Sequence, residues 1–189
     1  MPKQIHILLG VTGSIAAYKA AELLRLMKKN GWLVSVVMTK AATRFVGELT
    51  FQTLSQNPVL VDEFERTEEW DPAHVSWADS ADVFVIAPCT ANVIAKLAHG
   101  LADDALTSTA LACKAPLVIA PAMNENMWLH PATQDNLRII KSRRAIIVNP
   151  ERGQLACGWV GEGRLAPLDK IIAIVEKIFS RKGAKFAKK

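Results

Sequence analysis

Five near-continuous apolar runs, separated by stretches of helical character, restrict this chain to a small set of folds. The runs are IHILLG (5–10), WLVSVVMT (32–39), DVFVIAP (82–88), PLVIAP (116–121) and AIIVNP (145–150). A strand with one wet face alternates apolar and polar residues, whereas a strand apolar at nearly every position must be covered on both sides. The intervening segments supply the cover. Helices are expected at 15–29, with Ser14 as N-cap and Asn30-Gly31 as the stop, and at 90–100, capped by Thr90 and ended by Gly100. Shorter helices are expected near 41–46, 48–56 and 103–113, and another at 131–143 that starts on proline and carries cations near its end. Residues 167–180 read as a closing amphipathic helix, 62–73 as an acidic surface loop and 151–166 as a long glycine-containing loop. The pattern predicts an α/β fold with a parallel sheet between two helical layers.

At 189 residues the chain forms one domain with a core large enough to dispense with staples. The three cysteines, Cys89, Cys113 and Cys157, are widely spaced and give neither a disulfide framework nor a CxxC metal set, so no metal is expected and a reducing, cytoplasmic compartment is. The start lacks the pattern of a signal peptide, and every apolar stretch is interrupted well before the roughly 18 residues that a membrane span needs. The net charge of +5 belongs to the tail, where Arg181, Lys182, Lys185, Lys188 and Lys189 stand without an acid. Residues 1–180 are neutral overall, so the domain proper has no electrostatic footprint for nucleic acid, and 181–189 reads as a basic tail.

In parallel sheets ligands bind beyond the carboxyl ends of the strands. After the first strand comes Gly10-Val11-Thr12-Gly13-Ser14-Ile15, small residues leading into a helix start that suits an anion. The usual dinucleotide and P-loop glycine motifs are absent. After the third strand, Pro88-Cys89-Thr90-Ala91-Asn92 is a second hydroxyl-bearing helix start, and Thr39 ends the second strand on the same edge. Two such turns can enclose one phosphate. After the fourth strand, Pro121-Ala122-Met123-Asn124-Glu125-Asn126-Met127-Trp128 offers polarisable surface for a flat ring and an amide that both donates and accepts. His74 and Cys157 are open to two readings each on spacing alone: solvated loop residue or proton-transfer group.

Taken together, GVTGSIAAYKA, HVSWADSADVFVIAPCTANVIAKLAHGLADD, PAMNENMW and GQLACGWVGEGR resemble the flavin-dependent cysteine decarboxylase family, over residues 5 to about 178. The resemblance implies a Rossmann-like/flavodoxin-like three-layer sandwich that assembles as homotrimers or multiples of trimers, with FMN at a subunit boundary. It implies FMN contacts from Gly13, Ser14, Ile15, Thr39, Thr90, Ala91, Asn92, Val93, Ala122 and Met123, and catalytic roles for His74, Asn124 and Cys157. Asn124 corresponds to the asparagine that holds the substrate carboxylate, Cys157 to the cysteine of the reductive half, and 151–166 to a flap over the substrate. The activity implied is decarboxylation of 4'-phosphopantothenoylcysteine to 4'-phosphopantetheine in coenzyme A biosynthesis, through a thioaldehyde and an enethiolate. Many bacterial relatives carry a fused synthetase domain that makes this substrate; here it is expected as a separate protein or a missing portion. Val93 stands where relatives often have threonine. Alternatives are a peptidyl-cysteine decarboxylase, a flavin prenyltransferase and a non-catalytic regulatory relative; the LACG cysteine argues against the first and the PxMNxxMW segment against the second.

Overall fold

The computed structural model describes residues 4–62, 73–156 and 158–186, with the side chains of 73–74 and 181–186 excepted. In chain order the elements are β1 (His6–Val11), α1 (Ala17–Lys29), β2 (Leu33–Met38), α2 (Lys40–Thr43), α3 (Glu48–Ser55) and β3 (Val59–Leu60). There follow α4 (Ala73–Ser80), β4 (Val83–Cys89), α5 (Ala91–His99), α6 (Ala105–Ala112) and β5 (Leu117–Pro121). The chain ends with α7 (Glu125–Leu129), α8 (Pro131–Ser142), β6 (Ile146–Ile147), β7 (Glu151–Gln154), β8 (Val160–Arg164) and α9 (Leu168–Phe186).

Strands β1 to β6 form one parallel sheet in the order β3-β2-β1-β4-β5-β6. Every position of β1 and β4 is buried, as their unbroken apolar sequences require. Alternate residues serve different layers: Ile7 and Leu9 join Leu23, Val85 and Val175 under α1 and α9, while Leu8 joins Phe84, Ile94, Leu106 and Leu137 under α5, α6 and α8. Each of these side chains contributes roughly 1.5–3 kcal/mol by burial. The strand order is that of a Rossmann-like sheet, and it reverses between β1 and β4. The chain therefore leaves these two neighbours toward opposite faces and opens a crevice at their carboxyl ends.

Several expectations need correction. Ser14 does not cap α1, which begins at Ala17 after Ala16. Residues 13–16 form a turn of their own, in which the Ser14 hydroxyl accepts from Ala16 N–H at 3.3 Å, so the hydroxyl serves the turn and not the helix. The long loop at 151–166 is an antiparallel hairpin, β7 with β8. Its strands carry Glu151, Arg152, Gln154, Glu162 and Arg164, so no apolar period marks them; backbone pairing and docked glycines hold it instead. The short β3, α4 and α7 were not expected, being too brief to show a period. Helix α9 runs on to Phe186, past its expected end at 180. Most of the acidic loop, residues 63–72, lies outside the described residues.

Candidate functional site

The crevice at the switch point is built around Thr12, whose side chain is wholly buried. Its hydroxyl donates to the Pro88 carbonyl at 2.8 Å and accepts from Thr90 N–H at 3.1 Å. One side chain thus clasps the turn after β1 to the turn after β4. Gly13, next in sequence, lies so close to α2 that an added Cβ would stand 2.5 Å from the Ala41 Cβ. Thr90 caps α5 by accepting from Val93 N–H, and Thr39 caps α2 by accepting from Ala42 N–H. The N–H groups of Ala91 and Asn92, at the start of α5, have no carbonyl to bond within the helix. Valine at position 12 would keep the shape and lose the hydroxyl, stranding a buried carbonyl and a partly buried N–H. Thr12→Val should cost about 1–3 kcal/mol of stability, with Thr12→Ser close to wild type. Urea midpoints at equal m-value check this.

Two clefts meet at these turns. One, of about 560 Å³, is lined by Gly13, Thr39, Thr90, Ala91, Asn92 and Val93, with Lys96 and Asp104 on its wall. The other, of about 720 Å³, shares Gly13, Thr90, Ala91 and Met127 and adds Ser14, Ile15, Ala122, Met123 and Asn124. The hairpin closes the second cleft through Gln154, Leu155 and Ala156. Apolar side chains stand open at its mouth, with Ile15 58% and Tyr18 61% exposed. The exit of β5 is pinned from two sides: Ala122 N–H donates to the Cys89 carbonyl at 3.1 Å, and Met123 N–H to the Gly163 carbonyl at 2.9 Å. Asn124 caps α7, its side-chain oxygen accepting from Asn126 N–H at 2.9 Å.

Electrostatics on the first cleft centre on Lys96, whose side chain is 16% exposed and bonds Asp103 at 2.6 Å and Asp104 at 2.8 Å. Burial alone would push the lysine pKa down and the aspartate pKa up. The hydrogen bonds and charges overrule it, so that Lys96 is raised and Asp104 lowered from their usual ranges. Asp104 also caps α6 through Thr107 N–H, so the ion pair fastens α5 to the start of α6. Cys89 is fully buried, and burial holds its thiol well above the usual range, protonated and inert.

All ten residues expected at the cofactor line one or other cleft, and Asn124 joins them. The backbone of His74 belongs to the first turn of α4, while its side chain lies outside the described residues. None of the described side chains of α4 lines either cleft. The far end of that helix is anchored: the Ser80 carbonyl meets His6 Nδ1 at 3.2 Å and the Ala78 carbonyl meets the Cys113 thiol at 3.4 Å. Cys157 lies outside the described residues. Sequence reasoning missed Thr12, Lys96 and Glu125, whose carboxylate accepts from Glu162 N–H at 2.9 Å. A hydroxyl between a buried strand and the glycine of a switch-point turn was the available signal for Thr12. For the other two no local signal exists, because their partners are set by the fold.

Residues 1–180 match the family described as Flavoprotein. The chain is 46% identical over 175 residues to the coenzyme A biosynthesis bifunctional protein CoaBC of Bacillus subtilis (strain 168), covering 93% of this chain and 43% of that protein. It thus spans less than half the length of that bifunctional relative. It is also 46% identical over 173 residues to a probable phosphopantothenoylcysteine decarboxylase of Streptococcus mutans serotype c, covering 90% of this chain and 97% of that one. Among solved structures, a cysteine-to-serine mutant of PPC decarboxylase complexed with pantothenoylaminoethenethiol superposes with a TM-score of 0.83 at 29% identity, covering 94% of this chain and 100% of the other. The FMN-dependent cysteine decarboxylase SpaF gives 0.80 at 33% identity, with 90% and 94% covered.

Proposed function

This chain belongs to the flavoprotein family, and from that premise we propose that it binds FMN and decarboxylates 4'-phosphopantothenoylcysteine to 4'-phosphopantetheine in coenzyme A biosynthesis. The observation that carries the reading is the single crevice in which two helix-start turns, clasped by Thr12, face the Met123-Asn124 segment and the hairpin. Likeness to proteins named for this step, at 46% identity, supports the substrate.

The residues present fit FMN. The turn at Gly13 packs on Ala41 too closely for any side chain and lines both clefts with bare backbone, and helix-start N–H groups with Ser14 and Thr39 suit a phosphate. Thr90, Ala91, Asn92 and Val93 would hold the cofactor from the second turn, and Ile15, Ala122 and Met123 would flank its ring. Bound FMN supplies the two-electron oxidation of the cysteine moiety and the later return of those electrons. The chain's own residues do the rest. Asn124, capping α7 at the cavity wall, would hold the substrate carboxylate by its amide N–H. His74, with a reference pKa near 6.5, would take the proton released during oxidation. Cys157 would supply the proton in the reductive half. Lys19 and Arg164 line the same cavity, giving the positive charge that a phosphorylated substrate requires.

The reading extends to assembly. The described part of α4 lines neither cleft, so a neighbouring copy is the natural source of His74 for the Asn124 wall, and it would cover Ile15 and Tyr18. We therefore expect a homotrimer or a multiple of it, cytoplasmic, with its substrate made by a synthetase on a separate protein or on further chain. Among the described residues no helix is long and apolar enough to cross a membrane, and the reading calls for no nucleic acid.

Three measurements test it. Boiling the protein should release FMN, identified by chromatography; FAD, or no flavin from a folded chain, would overturn the cofactor. The protein should then release carbon dioxide from phosphopantothenoylcysteine, whereas turnover of a peptide with a terminal cysteine instead would favour the peptidyl-cysteine decarboxylase alternative. Light scattering should give three times 20.7 kDa or a multiple of that. A fully active flavin-bound monomer would refute the assembly.

A further inference from the structure

The base of the β7–β8 hairpin is tied to both residues that flank Asn124, and we propose that Glu125 is a positioning residue coupling the hairpin to the Asn124 side chain. On one flank, Met123 N–H donates to the Gly163 carbonyl at 2.9 Å. On the other, the Glu125 carboxylate accepts from Glu162 N–H at 2.9 Å. The receiving strand is shaped for both contacts. Gly163 has φ +132, and an added Cβ would stand 2.1 Å from the Met123 carbonyl oxygen. At Gly161 an added Cβ would stand 2.7 Å from the Glu125 carboxylate. Gly161-Glu162-Gly163 is thus a seat into which residues 123–125 fit, and no side chain at either glycine would leave it open.

The hairpin is bonded along its length into one piece. Gly153 pairs with Gly161 and Gln154 with Val160. Beyond them, Leu155 N–H donates to the Trp159 carbonyl at 2.8 Å and Gly158 N–H to the Leu155 carbonyl at 2.9 Å. The end of β7 and the turn after it, at Gln154, Leu155 and Ala156, line the same cavity as Asn124. A displacement of the hairpin over a ligand is therefore passed through the seat to the backbone on either side of Asn124. Of the two ties, the one through Glu125 is made by a side chain, which makes it the one a substitution can remove.

The role of Asn124 as carboxylate clamp rests on the proposed decarboxylase activity; the mechanical coupling does not. Hydrogen exchange followed by mass spectrometry on the flavin-loaded full chain separates the two. In Glu125→Ala, amides of 151–164 should exchange about tenfold faster, the scale of one lost hydrogen bond, while those of β1 and β4 stay unchanged. Glu125→Gln keeps an oxygen that can accept from Glu162 N–H and should behave as wild type. Kinetically, Glu125→Ala should raise KM for phosphopantothenoylcysteine about tenfold with kcat within about twofold and flavin content unchanged. Unchanged hairpin exchange in Glu125→Ala overturns the coupling, as does equal loosening in Glu125→Gln. A loosened hairpin with unaltered KM overturns the positioning of Asn124. A wild-type chain inert toward this substrate would instead refute the decarboxylase reading, and the exchange comparison would still decide the coupling.

Discussion

His74→Asn should bind FMN as wild type does and fail to bleach it when phosphopantothenoylcysteine is added. The assignment gives His74 a proton to move and no part in holding the cofactor, whose ten proposed contacts all come from other residues lining the two clefts. Removing a positioned general base costs roughly 10²–10⁴ in rate, and asparagine matches the ring's hydrogen-bonding edge without its basicity. Anaerobic stopped-flow at the flavin band reads the first half-reaction directly. Flavin reduction at the wild-type rate would return His74 to an ordinary polar residue of α4. Loss of bound flavin would mean that it supports the cofactor site instead. The wild-type rate should also fall as pH drops through the histidine range, because only the neutral ring accepts a proton.

The sheet was legible because burial on both faces leaves no freedom in sequence. β1, β2, β4 and β5 each read as an apolar run, and each lies in the sheet within a residue or two of its expected place. The ends of α5 were equally plain: Thr90 caps it, and Gly100 closes it with φ +68, a conformation that most other residues resist. The hairpin escaped notice since it seats on residues 123–125 through Gly161 and Gly163, and a buried face made of glycines leaves no apolar period. Its four glycines were read as looseness, yet Gly161 and Gly163 are tight contacts.

The candidate site divides in the same way. Small residues after buried strands are visible in sequence, and the two turns were found from them. The clasp between the turns was not, because Thr12 and its partners lie 76 and 78 positions apart. Lys96 pairs across eight positions with Asp104, from α5 to the cap of α6, a contact set by how the two helices pack. His74 and Cys157 owe their assignments to the family resemblance, since one histidine and one cysteine at such distances carry no signal of their own.

Cys157→Ser should turn the enzyme from one that completes its reaction into one that stops halfway. If the thiol serves the reductive half alone, the variant still oxidises the substrate and releases carbon dioxide. It then has no adequate acid for the last proton. Serine is close in size, so the hairpin and its seat on residues 123–125 should remain, but a hydroxyl is a far weaker acid than a thiol of reference pKa about 8.5. Reduced flavin and an enethiol should accumulate, and the enethiol is lighter than the saturated thiol by two hydrogens, which mass spectrometry resolves. Three outcomes separate the readings. Saturated thiol at the wild-type rate would leave Cys157 without the assigned role. Failure to bind substrate at all would make the tip of the hairpin a packing element. Enethiol with stoichiometric carbon dioxide would place Cys157 after the decarboxylation, so that Cys157→Ser combined with His74→Asn should behave as His74→Asn alone, because a block at the first half-reaction conceals any block that follows it.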